Sequence, residues 1–169
     1  MARPGCLAGR GAGLVGGVEK LHQAVSRHKL LVLDTMVFSY HLSDHPRYAP
    51  LSAVVLEAVE SGNVVGLTTT ITLAELLTVP AQSDDRRAMQ EYELYLAYFP
   101  NLRILPLDTS LAREAAWVRA ATRLRMPDAI QIAAARLSGA DGIVTNDSRW
   151  VGRVVQPALV LLDDYVNVS

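Results

Sequence analysis

A short apolar run ends at an acid in Leu30-Leu31-Val32-Leu33-Asp34, and this pattern decides the fold. Consecutive apolar residues without helical spacing are typical of a strand that is buried on both faces. Similar segments follow at Val64–Thr68, Leu102–Leu105, Gly142–Thr145 and Ala158–Leu162. The chain is therefore expected to contain several short, buried strands.

Helical patterns fill the segments between these strands. Pro50 suits the first turn of a helix that continues to Ser61 and is followed by Gly62. A further helix is predicted over Thr70–Leu77, with Pro80 just beyond its end. Parallel strands require such crossover helices. The expected fold class is α/β, a three-layer α/β/α sandwich around a central parallel sheet of about five strands.

The length of 169 residues fits one domain. The first 17 residues contain six of the 11 glycines, and they are expected to be a flexible extension or a mis-assigned start, which leaves a single domain over 18–169. Within them, Gly11-Ala12-Gly13-Leu14-Val15-Gly16 matches a dinucleotide-binding fingerprint. No strand is credible before this motif, so no bound organic cofactor is predicted.

Charge and cysteine content exclude several classes of protein. The net charge of −1 argues against nucleic-acid binding by bulk positive charge. Cys6 is the one cysteine, so neither an internal disulfide nor a multi-cysteine zinc site can form, and a cytoplasmic location is expected. No apolar run reaches the roughly 18 residues of a membrane span, so no membrane partner is expected.

Four acids fall at strand ends or early in helices: Asp34, Glu75, Asp128 and Asp147. Sites in open α/β sheets form outside the carboxyl ends of the strands. The apolar neighbours of these acids predict partial burial, and like charges in a low dielectric repel unless they are neutralised. All-oxygen ligands select a hard ion such as Mg²⁺ or Mn²⁺, which can position a phosphodiester and activate water.

Four blocks of sequence resemble, in order, the motifs of PIN-domain ribonucleases, and in particular the VapC-type toxins of toxin–antitoxin pairs. They are Leu33–Phe38, Thr70–Leu77, Pro127–Ala135 and Thr145–Asp147, within a resemblance that covers about residues 30–165. The resemblance implies RNA cleavage that depends on Mg²⁺ or Mn²⁺, a homodimer, and a small antitoxin that covers the acidic site.

The resemblance also implies residue roles. Asp34, Glu75, Asp128 and Asp147 would carry the metal site, with Asp34 and Asp128 as direct ligands. Thr70 and Thr145 match positions of hydroxyl residues that would support these ligands through hydrogen bonds. Asn146 departs from the residues usual at its position in the family.

Cations and aromatic residues add expectations about RNA. Arg123 and Arg125 precede Asp128 and Arg149 follows Asp147, so these three arginines are predicted to contact phosphate. Trp117 is predicted to lie in the core.

Two alternatives remain open at this stage. The chain could be a non-catalytic PIN-like module that binds RNA or protein. It could also transfer phosphoryl groups with Asp34 as nucleophile, although Met36 stands where the second acid of such enzymes is expected.

Overall fold

A computed structural model describes residues 9–166, with side chains from residue 16 onward. The predicted parallel sheet is present and has five strands. They are β1 Leu30–Leu33, β2 Val65–Thr69, β3 Leu102–Leu105, β4 Gly142–Thr145 and β5 Ala158–Leu161. The helices are α1 Gly9–Val25, α2 Thr35–Leu42, α3 Ala49–Glu60, α4 Thr70–Gln82, α5 Arg86–Ala97, α6 Thr109–Thr122 and α7 Met126–Ser138.

The strand order β3-β2-β1-β4-β5 places β1 at the centre of the sheet. The chain moves outward from β1 to β2 and β3, and then returns to the other side of β1 for β4 and β5. Leu33 pairs with Val144, so β1 and β4 end side by side. A crevice forms where the winding direction reverses in this way, and it is the usual position of a site in an open α/β sheet.

Alternate residues of β1 face opposite layers, as expected for a strand with a repeat of two. Leu31 and Leu33 belong to an apolar cluster with α1, α3 and α5. Val32 belongs to a second cluster with α6 and α7. All three side chains are fully buried, so the two layers of the predicted sandwich share the central strand.

Helix α4 is longer than predicted, because it continues through Pro80 to Gln82. A proline removes one helical hydrogen bond and was expected to stop the helix. Pro80 lies on the same buried stripe as Thr72 and Leu76, at intervals of four residues. Its packing offsets the missing hydrogen bond, and the helix ends only two residues later.

Helix α1 begins at Gly9, whereas residues up to 17 were predicted to be flexible. Met1–Ala8 lie outside the described residues, and the proposed division at residue 17 stays a prediction. A Cβ added to Gly17 would overlap the carbonyl oxygen of Tyr165. The end of the glycine-rich stretch therefore packs closely against the last helical turn, Leu162–Tyr165. No helix in the described part of the chain is long and apolar enough to cross a membrane.

Gly17→Ala tests whether this part of α1 is packed. If it is packed, the new methyl group meets the Tyr165 carbonyl and stability falls by about 1–3 kcal/mol, the usual penalty of overpacking. The free energy of unfolding in urea is the measurement, with Glu19→Ala on the exposed face of the same helix as the control. A loose extension predicts the opposite sign, because alanine is the better helix former by about 1 kcal/mol.

Candidate active site

Thr145 joins two of the four predicted acids at the adjacent ends of β1 and β4. Its hydroxyl donates to Asp34 Oδ2 at 2.7 Å, and its oxygen accepts from the Asp147 backbone N–H at 3.2 Å. The backbone N–H of Asp34 donates to the Val144 carbonyl at 3.0 Å, which continues the β1–β4 pairing by one residue. The sheet register thus fixes the position of Asp34 relative to Asp147.

Asp34 is a buried acid whose charged form is disfavoured. Burial is the largest influence and raises the pKa of its carboxyl to about 6 from 3.8. Hydrogen bonds from the Thr145 hydroxyl and the Thr35 N–H lower this pKa, whereas the charges of Asp128 and Glu75 raise it. Three of the four predicted acids therefore interact electrostatically at one place.

Asp128 lies in the first turn of α7, where Pro127 occupies one of the first helical positions. Its side chain is only 9% exposed. Its Oδ2 atom lies 3.3 Å from Arg125 Nε and 3.8 Å from an Arg149 amino nitrogen. Two guanidinium groups and the N-terminal end of α7 therefore lie beside this carboxylate.

Asp147 caps the short turn Ser148–Trp150 by accepting from the Arg149 backbone N–H at 2.9 Å. The Arg149 guanidinium also engages both carboxylate oxygens of Asp147. This side-chain hydrogen bonding is the main reason that the pKa of Asp147 is lowered. The positively charged Arg149 guanidinium thus lies between the carboxylates of Asp147 and Asp128.

Glu75 differs from the other three acids because it is exposed on α4, whereas its apolar sequence neighbours predicted partial burial. The helix turns Leu76 toward the core and Glu75 outward. Its carboxylate accepts from the Thr35 hydroxyl. The Thr35 backbone N–H also donates to Asp34, so Thr35 contacts two of the acids.

A buried polar network that sequence analysis missed lies behind Glu75. Thr35 Oγ1 is 3.1 Å from Thr72 Oγ1, which accepts from Gln131 Nε2 at 2.6 Å. Thr72 and Gln131 are almost fully buried, and the Gln131 Oε1 atom has no hydrogen-bond partner within the described residues. Thr72 precedes Glu75 by three residues and Gln131 follows Asp128 by three, so helical spacing was the available signal.

Thr70 makes a contact that differs from the one the resemblance implied. Its hydroxyl oxygen accepts from the Leu107 backbone N–H at 3.1 Å, which ties the start of α4 to the segment between β3 and α6. The threonine hydroxyl that reaches an acid from this side of the site is that of Thr35. A supporting role of Thr70 at the acids stays a prediction.

The predicted phosphate-contacting arginines occupy two different settings. Arg125 and Arg149 lie against the acids. Arg123 ends α6 in the left-handed conformation with φ 58°, and its exposed side chain makes no ion pair or hydrogen bond with any described residue.

The chemistry of the donor set suits a hard divalent cation, because carboxylate and threonine oxygens surround Asp34. Among the described side chains, however, no three carboxylates or imidazoles converge into a ready-made metal site. Arg149 holds both oxygens of Asp147. Asp34 and Asp128 are therefore the acids that would hold an added cation. Their carboxylate oxygens are the donor atoms that a hard divalent ion prefers.

Comparisons with known proteins agree with this architecture. The family model described as PIN domain matches residues 31–154. No curated protein matches the chain.

Solved structures resemble the chain in fold. A toxin–antitoxin complex from Klebsiella pneumoniae has a TM-score of 0.58 at 19% identity, over 78% of this chain and 97% of that one. VapBC2 from Rickettsia felis bound to a promoter DNA fragment has a TM-score of 0.62 at 18% identity, over 78% and 98%. FitAcB from Neisseria gonorrhoeae has a TM-score of 0.56 at 23% identity, over 78% and 97%.

Asp34→Asn should stabilise the metal-free protein at neutral pH. Folding raises the pKa of Asp34 from 3.8 to about 6, so its stabilising contribution is full below pH 3.8 and is lost as the pH rises through about 6. Removing the charge should therefore raise the free energy of unfolding by about 1–3 kcal/mol at neutral pH. The gain should shrink as the pH falls below 6. Urea titrations in EDTA across this range measure it.

Asp141→Asn is the matched control, with the opposite expected sign. Burial raises the pKa of Asp141, but hydrogen bonds from the Lys29 and Leu30 backbone N–H groups outweigh burial and lower it. This variant should lose stability at neutral pH. A gain for Asp34→Asn that does not vary with pH would contradict the assignment of a buried, disfavoured charge.

Proposed function

The chain belongs to the PIN domain family, and on this premise we propose that it is an endoribonuclease that requires Mg²⁺ or Mn²⁺ and serves as the toxin of a toxin–antitoxin pair. One observation carries the proposal. Asp34 is buried at the end of β1, where burial raises the pKa of its carboxyl to about 6 and the charges of Asp128 and Glu75 add a smaller increase. A carboxylate cluster that disfavours its own charge gains free energy when a divalent cation neutralises it.

The four acids divide the work according to their surroundings. Asp34 and Asp128 would hold the cation, Glu75 would contribute from the exposed side, and Asp147 would act mainly through Arg149. The bound cation supplies positive charge to the phosphodiester and an activated water for its hydrolysis. No side chain is required as a covalent nucleophile.

The remaining polar residues orient these acids and the substrate. The Thr145 hydroxyl fixes one carboxylate oxygen of Asp34, and the Thr35 N–H fixes the other. Arg125 and Arg149 place two guanidinium groups beside the acids, where they can contact the phosphates on either side of the scissile bond. RNA is thus oriented by fixed cations rather than by the charge of the whole chain.

The proposed partners follow from the same family. Three similar structures are a toxin–antitoxin complex from Klebsiella pneumoniae, VapBC2 bound to promoter DNA, and FitAB bound to a DNA fragment. By analogy, we propose that this chain forms a homodimer and binds a small antitoxin that covers the acids. It would act on RNA in the cytoplasm.

Cleavage of RNA in the presence of Mg²⁺ or Mn²⁺ tests the proposal. EDTA should abolish it, and Asp34→Asn or Asp128→Asn should lower the rate at least about a hundredfold, since each removes a charge at the reacting centre. Asp84→Asn is the matched control, because that acid is 85% exposed at the start of α5. Calorimetry with Mn²⁺ should show binding to the control and weaker binding to the two site variants. Absence of both cleavage and metal binding would favour a non-catalytic binding module.

Thr72→Val tests whether the buried network positions Glu75. Without the Thr72 hydroxyl, Thr35 loses a hydrogen-bonding partner and Glu75 is held less firmly. Loss of a residue that hydrogen-bonds to a metal ligand typically lowers metal affinity or activity about 10- to 100-fold. Mn²⁺ affinity and kcat should each decrease by about this factor. Thr72→Ser should restore both values. Thr70→Val is the matched control, and a larger loss in that variant would assign the role to Thr70 instead.

A further inference from the structure

Asn146 lies between two residues of the candidate site. Thr145, before it, donates a hydrogen bond to Asp34, and Asp147, after it, is one of the four predicted acids. The pairing of β4 with β5 ends at Thr145, and the next helical turn begins at Ser148. Irregular connections of this kind are more mobile than the elements they join, so side-chain contacts are needed to hold them in place.

The amide of Asn146 makes two such contacts. Its Oδ1 atom accepts from the Asp163 backbone N–H at 2.8 Å, and its Nδ2 atom donates to the Tyr40 hydroxyl oxygen at 3.3 Å. A backbone N–H can only donate, so the amide oxygen must face Asp163 and the amide nitrogen must face Tyr40. The end of β4 is thus joined to α2 on one side and to the turn Leu162–Tyr165 on the other.

The two partners of Asn146 are also fixed to each other. The rings of Tyr40 and Tyr48 stack with their centroids 4.6 Å apart and an interplanar angle of 26°. The Tyr48 hydroxyl donates to Asp163 Oδ1 at 2.8 Å, and an Arg47 guanidinium nitrogen lies 3.4 Å from the same oxygen. Asn146, Tyr40, Tyr48 and Asp163 therefore form a closed ring of contacts, which we call the Asn146 clamp.

The Asn146 clamp draws on segments outside the region that matches the PIN family. Asp163 follows that region, which ends at residue 154. The turn that contains Asp163 packs against α1, where Gly17 meets the Tyr165 carbonyl, and α1 precedes the matched region. Segments before and after the matched region are therefore connected to the acids through one side chain.

We propose that Asn146 is a positioning residue of the nuclease site, an inference that rests on the proposed function. Its amide holds the end of β4 in place. The Thr145 hydroxyl thereby keeps both of its contacts, with the Asp34 carboxylate and with the Asp147 backbone N–H. Asn146 acts on the acids through the backbone that it shares with its two neighbours.

Hydrogen exchange of the metal-free protein, followed by NMR in EDTA, tests this positioning without metal or RNA. Asn146→Ala should speed exchange of the Asp163 amide, which loses its acceptor, and this increase reports that the clamp is broken. The Asp147 amide, whose acceptor is the Thr145 hydroxyl, should also exchange about 2- to 10-fold faster, the effect of one weakened hydrogen bond.

Asn101→Gly is the matched control. The Asn101 amide also donates two hydrogen bonds, to the carbonyl oxygens of Val59 and Glu60 at the end of α3. Its φ of 57° suits glycine, so the variant loses these contacts without added backbone strain. Asn101 precedes β3, at the edge of the sheet where the strands begin, and its loss should lower stability with no selective change at Asp147.

The stability of each variant separates a general loss from a local one. Urea unfolding is followed by the fluorescence of Trp150, which is fully buried. Trp117 was predicted to lie in the core, but it is 70% exposed on α6. It lies about 200° around the helix from the buried Ala115 and adds little to the change in signal on unfolding.

Kinetics and metal binding test the consequence for the reaction. Asn146→Ala should lower kcat for RNA cleavage with Mn²⁺ about tenfold and weaken Mn²⁺ binding by a similar factor, as expected for a residue that supports metal ligands. KM should change little, because the amide contacts protein groups. Tyr40→Phe keeps the stacked ring and removes the hydroxyl, so it should cause part of the same loss, and the double variant should lose no more than Asn146→Ala alone.

Faster exchange at Asp163 with an Asp147 rate equal to that of the Asn101→Gly control would overturn the inference, and would leave the clamp as a support of the turn Leu162–Tyr165. Unchanged exchange at Asp163 would also overturn it. The proposed function fails separately: a chain that shows the selective change at Asp147 but cleaves no RNA with Mn²⁺ keeps the positioning and loses the nuclease. Cleavage with a kcat that Asn146→Ala leaves unchanged gives the reverse result.

Discussion

The Asp34 carboxylate lies 8% exposed at the end of the central strand, where burial opposes its charge. Its two oxygens accept hydrogen bonds from the Thr145 hydroxyl and the Thr35 N–H, which offset part of that cost. Both donors exist because β1 ends beside β4 and α2 begins at once after Asp34. The strand order, the position of α2 and the raised pKa of Asp34 are therefore parts of one arrangement.

Near this acid, two arginines contact the other buried carboxylates. Arg149 holds Asp147 and approaches Asp128, and Arg125 contacts Asp128 from the other side. These guanidinium groups balance the acids and leave N–H donors near the place where a phosphate would lie. The net charge of −1 is thus a poor guide to this part of the surface, because the total does not show where the arginines lie.

The buried hydroxyls show where sequence reasoning lost information. Thr72 and Gln131 occupy positions that read as ordinary members of two helices, and nothing in either helix reveals that α4 and α7 meet behind Glu75. Their hydrogen bond joins residues 59 positions apart in the chain. The exposed ring of Trp117 has a similar origin, since a helix with four buried positions spaced along one side leaves large residues elsewhere on its surface.

Sequence alone was sufficient for the five strands and their alternation with helices, because short apolar runs and helical spacing are local signals. The tertiary structure decided which side chains meet. Pro80 stays within α4 because its ring packs in the core, and Glu75 is exposed because the helix turns it outward. Packing between distant segments sets these outcomes, and no single segment of the chain carries that information.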